Sequence, residues 1–96
     1  MLPELVRLYL SDEPARLARL AQLAAERHPD QLGNEAHSFG GNAASFGGRQ
    51  VRHVALELEQ AARAGDWPGV SVLLVRLREA CGRLRTELVR LNLTAP

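Results

Sequence analysis

The chain has no lysine; all twelve of its basic residues are arginine. Isoleucine is absent, threonine and tyrosine are scarce and aromatic residues make up only 4% of the chain, so the β-branched and aromatic enrichment of strands is missing. Leucine, alanine, arginine, valine and glutamate take their place, and an all-α fold is the expectation. Neither sign of charge is in excess: twelve basic residues face eleven acidic ones, for a net charge of +1. That excludes a field strong enough to hold a nucleic-acid backbone. A single cysteine, Cys81, excludes an internal disulfide, and its place on an apolar helical seam predicts a buried, inert thiol. Long apolar runs are also lacking. The stretch from Val72 to Val75 is far short of a membrane span, and the N-terminus has no basic region followed by a long apolar core. The expectation is a soluble, cytoplasmic protein with no membrane partner.

The 96 residues suit one domain spanning 1–96, and there is no internal repeat, linker or low-complexity tract. Residues 3–10 carry Leu5, Val6, Leu8, Tyr9 and Leu10, a short amphipathic helix ending at Ser11, Asp12 and Glu13. A second helix is predicted to start there, capped by Ser11 or Asp12 with Pro14 in its first turn, and to stop at His28 before Pro29. Asp30 is the expected cap of the next helix, on which Leu32, Ala36, Phe39, Ala43 and Phe46 form one apolar stripe up to Gly47 and Gly48. Val51, Val54, Ala55, Leu58, Ala61 and Ala62 give the inner face of another, ended by Gly65. Asp66 caps the last helix, with Pro68 in its first turn and a near-heptad seam of Val70, Leu73, Leu77, Cys81, Leu84, Leu88 and Leu91. Short connections make the long helices antiparallel neighbours. The predicted fold is an antiparallel four-helix bundle with a short additional N-terminal helix, acting as a cap or as an extension of the second.

One segment breaks the helical rules. Between His37 and Gly48 the apolar stripe is interrupted by four glycines, and each glycine in a helix interior costs roughly 0.8 to 1 kcal/mol relative to alanine. At about 100° per residue, His37 lies roughly 140° from the centre of the stripe and faces water. Its neighbours on that projection are Gly33, Gly40, Gly41, Ala44 and Gly48, so the imidazole stands over a nearly bare strip. Such a surface suits docking by another protein, and a neutral imidazole is a competent nucleophile. The spacing alone also permits a loop, with the helix broken at Phe39 and His37 merely an exposed polar residue.

The run Ala36-His37-Ser38-Phe39-Gly40-Gly41-Asn42-Ala43-Ala44-Ser45-Phe46-Gly47 resembles the phosphoacceptor segment of histidine phosphotransfer domains. The match extends to Val51, Leu58 and Glu59, to the Ala62–Asp66 end of the following helix, and to Leu5–Leu10 at the start. The resemblance implies that His37 accepts a phosphoryl group from an aspartate of a receiver domain and passes it to another. It also implies that Glu59 presents a polar side chain to the histidine, accepting a hydrogen bond from Nδ1 and leaving Nε2 as the nucleophile. One departure is substantial: the family commonly has a lysine three residues after the histidine, and this chain has Gly40. Arg49, Arg52 and Arg63 on the next helix are candidates to restore that countercharge. No nucleotide-binding loop or metal-carboxylate cluster is present in the sequence, so the expected role is a phosphocarrier without kinase activity, cofactor or metal of its own. Any Mg²⁺ would belong to the receiver. A noncatalytic helical adaptor that docks a signalling partner through the same glycine-rich face is the alternative, and a structural or dimerisation bundle would explain the seam but not the glycines.

Overall fold

The computed structural model describes residues 2–94, which form four helices: α1 (Glu4–Ala25), α2 (Pro29–Ala44), α3 (Arg49–Arg63) and α4 (Trp67–Thr94). No strand occurs among the described residues. The core is one cluster drawn from all four helices, with Leu20, Leu32, Val51, Leu58, Val70, Leu77 and Cys81 its largest fully buried side chains. On α4 the seam runs as expected through Val70, Leu77, Cys81 and Leu88, joined by Ala80, but Leu91 is half-exposed near the helix end. Burial pushes the Cys81 thiol up to about 12, in keeping with the inert thiol expected of that seam.

The N-terminal helix is not separate; of the two alternatives it is the extension of the second helix. Residues 4–25 are one helix and Pro14 lies inside it, not in a first turn. The apolar stripe explains why: Val6, Tyr9, Leu10, Leu20 and Leu23 are buried along one face, with Glu13 among them, so a break at Ser11 would uncover part of the core. Pro14 has no N–H for the Leu10 carbonyl one turn back. The Arg85 guanidinium of α4 donates to that carbonyl at 2.9 Å and forms an ion pair at 3.6 Å with Glu13, which is only 4% exposed. A side chain 75 positions away thus replaces the missing backbone donor.

Three chain reversals share one geometry. In each, an amide bonds to a carbonyl five residues back: His28 to Leu23, Gly48 to Ala43, and Asp66 to Ala61. The residue before that amide takes positive φ, namely Arg27 at 56°, Gly47 at 79° and Gly65 at 71°. Glycine adopts this conformation without penalty at the second and third turns, as Gly65 was expected to do. The α1 stop falls at Ala25, three residues before His28, and α2 opens on Pro29. The expected cap Asp30 therefore lies within the first turn, where its carboxylate favours the positive end of the helix dipole, while His28 precedes the helix in extended geometry. Asp66 does cap α4, accepting from the Gly69 amide at 3.1 Å.

The α2–α3 pair is packed through small residues. Ala36, Gly40 and Ala43 of α2 and Ala55 and Ala62 of α3 are buried. A Cβ added at Gly40 would stand 2.9 Å from the Cβ of Ala55 and 3.4 Å from the Arg52 Cα. Gly40 is therefore buried at a helix crossing and does not belong to an exposed strip. Gly40→Ala is expected to destabilise the bundle by about 1 kcal/mol or more, the overpacking outweighing alanine's better helix propensity. Chemical denaturation checks this.

Candidate functional site

His37 projects from the middle of α2, with its side chain 68% exposed. The helix continues unbroken through Phe39, Gly40 and Gly41 to Ala44, so the loop alternative does not hold. Phe39 is buried beneath the helix, and the Arg16 guanidinium of α1 lies 5.6 Å from its ring centroid while donating to Ser38 Oγ at 3.3 Å. Phe46 falls beyond the helix end, in the α2–α3 turn, where it is half-buried and stacks on Tyr9 at 4.7 Å.

On the other flank, Glu59 of α3 reaches His37. Its Oε1 stands 3.0 Å from Nδ1. Its other oxygen, Oε2, accepts from Arg63 Nε at 3.2 Å and Nη2 at 2.8 Å, and the same Nη2 donates to Asn34 Oδ1 at 3.0 Å. The Arg63 hydrogen bonds first, and the His37 contact second, hold the Glu59 carboxyl below its ordinary value. It is thus a carboxylate at neutral pH and accepts from an Nδ1–H, the tautomer that leaves the Nε2 lone pair unengaged.

The bare strip expected around His37 is smaller than the projection suggested. Gly33 is covered by Arg63, whose Cζ would lie 2.9 Å from an added Cβ. Gly40 is under α3, and Gly48 is buried against Leu84 and Ala43. Gly41 alone among these glycines is open, with nothing within 4 Å of an added Cβ. Ala44 is half-buried at the edge of a shallow groove that Arg49, Arg52, His53 and Leu56 complete.

Of the three candidate arginines, Arg63 is brought into the site, but as the partner of Glu59 and not as an unpaired countercharge. Arg49 and Arg52 line the groove beside Ala44, and neither guanidinium makes a hydrogen bond or ion pair among the described residues. Asn34 is a site residue that the sequence reading passed over. The available signal was the Glu59–Arg63 spacing of one helical turn, which makes an ion pair beside His37. His28 and His53 lie apart from the site, near Glu26 at 3.4 Å and Glu57 at 3.0 Å respectively. Among the described residues no three histidine, cysteine or acidic side chains are grouped to hold a metal ion, and no helix is long and apolar enough to cross a membrane.

The family model of the Hpt domain matches residues 4–87. The chain belongs to the histidine phosphotransfer domain family. The match begins at the first residue of α1 and runs well into α4, so it takes in α2 and α3 entirely and with them every residue around His37. No curated protein and no solved structure gives a match to this Hpt domain.

Proposed function

We propose that this Hpt domain is a phosphorelay intermediate: His37 accepts a phosphoryl group from a receiver-domain aspartate and transfers it to another receiver domain. The observation that carries the reading is the exposed imidazole with Nδ1 engaged by Glu59. The Nε2 lone pair attacks the phosphorus of the aspartyl phosphate; an Nε2–P bond forms as the P–O bond breaks, and the aspartate leaves as a carboxylate. The Nδ1 proton stays on the ring, which becomes cationic, and the Glu59 carboxylate stabilises that charge. Return transfer runs the same steps backwards, with the neutral imidazole as leaving group. Arg49 and Arg52, whose guanidinium groups are not engaged by another described side chain, are our candidates for the countercharge that Gly40 does not supply. The setting is cytoplasmic, alongside the receivers.

Incubation with a phosphorylated receiver domain tests the proposal: an acid-labile, base-stable phosphoryl label should appear on this chain. Binding of the receiver without any label would instead favour the noncatalytic adaptor, the reading that the missing side chain at Gly40 supports.

Gly41 offers a separate test of docking. Gly41→Gln is expected to weaken receiver binding at least tenfold, because a long side chain would rise one turn from His37 in space that is now open. The fold should be unharmed or more stable by up to about 1 kcal/mol, since glutamine is the better helix former. Calorimetric titration with a receiver, beside a thermal melt, reads the two effects separately.

A further inference from the structure

Glu59 divides its two oxygens between different tasks: Oε1 meets the imidazole and Oε2 is taken by Arg63. An ordinary ion pair one turn apart on a helix surface needs nothing more. Here Arg63 is also tied to the opposite helix. Its guanidinium lies on Gly33, where even a methyl group would stand 2.9 Å from Cζ, and it donates across the helix boundary to Asn34 Oδ1. Gly33 and Asn34 are four and three residues before His37 on α2, so the arginine that orients Glu59 is itself located by the helix that carries the histidine.

We propose that Arg63 is a positioning residue for His37: seated on Gly33 and Asn34, it occupies Oε2 of Glu59, aims Oε1 at Nδ1 and thereby sets the ring's tautomer and orientation. The inference rests on the reading of His37 as phosphoacceptor, and it adds a reason for glycine at position 33. Two consequences follow from the chemistry. By stabilising the carboxylate, Arg63 makes Glu59 a weaker base, so the Nδ1 proton remains on the ring when the phosphoryl group arrives. By fixing the carboxylate, it restricts rotation of an imidazole that is otherwise mostly in solvent.

The test is long-range ¹H–¹⁵N spectroscopy of the His37 ring at alkaline pH, with ¹³C titration of the Glu59 carboxyl, in the native chain, Arg63→Gln, Arg63→Lys and Gly33→Ala. The native ring is expected to be protonated at Nδ1. In Arg63→Gln the Nε2-protonated form should grow and the Glu59 midpoint should rise. Phosphoryl acceptance should fall about tenfold, the scale at which loss of an outer partner orienting an imidazole is felt. Arg63→Lys should recover part of each effect, because a lysine carries the charge without the planar fork. Gly33→Ala keeps Arg63 and strengthens the helix, yet should shift the tautomer in the same direction by displacing the guanidinium. It therefore remains decisive if Arg63→Gln does not fold. An unchanged tautomer and an unchanged Glu59 midpoint in the folded variants would overturn the proposal. Neither spectrum requires a phosphoryl donor, so failure of the native chain to be phosphorylated would count against the relay reading alone.

Discussion

Arg85→Ala is expected to destabilise the domain by about 3 kcal/mol, although Arg85 is a partly exposed charged residue remote from His37. The change strands two groups at once. Glu13 is buried among the apolar side chains of α1 and α4, where its Oε2 already lacks a hydrogen-bond partner, and Arg85 is the cation paired with its Oε1. The Leu10 carbonyl, left without an intrahelical donor by Pro14, loses the guanidinium that takes the donor's place. The neighbouring Tyr9 hydroxyl is also buried without a hydrogen-bond partner, and burial first, then the charge of Glu13, raises its pKa and keeps it neutral. Urea denaturation of the single variant and of Arg85→Ala with Glu13→Leu checks the cause. The double variant should be the more stable of the two, since it removes the buried unpaired carboxylate. Equal stability of native and Arg85→Ala proteins would mean that the Glu13 pair does not hold α1 to α4.

His37→Gln is expected to abolish phosphoryl acceptance, a loss of at least a thousandfold, while moving the denaturation midpoint very little. Glutamine retains a polar side chain able to meet Glu59 but has no nitrogen lone pair for attack on phosphorus. The imidazole is mostly in solvent and opposite the buried face of α2, and substitutions at such positions usually change stability by no more than about 0.5 kcal/mol. Labelling by a phosphorylated receiver, run beside a urea melt, measures both. Acceptance that persists in this variant would remove His37 from the mechanism.

Much of this arrangement was legible in the residues. The α4 seam, the Asp66 cap and the Gly65 stop follow from local rules, and they hold because the interactions concerned lie within a few residues of one another. His37 and Glu59 were paired through family resemblance, and α2 and α3 bring them within hydrogen-bond distance. The misreadings share a different cause. Whether Pro14 stands in the first turn of a helix or inside one depends on Arg85, which no window around the proline contains. Whether Gly33 and Gly40 are bare depends on the side of α2 on which α3 packs; a helical projection gives their angle from His37 but not the neighbour that covers them. The three arginines of α3 were equivalent by composition; Arg63 is set apart by its one-turn spacing from Glu59 and by the position of Asn34 and Gly33 on α2.

In the proposed relay, Glu59 holds Nδ1 and leaves Nε2 of His37 to carry the phosphoryl group. The most direct test is NMR of the chain after phosphorylation by a receiver, using ¹⁵N-labelled histidine and ³¹P to identify the bonded nitrogen. The expected product is a single phosphohistidine, at His37, with phosphorus on Nε2 and a proton on Nδ1. Phosphorus on Nδ1, or on His28 or His53, would contradict it.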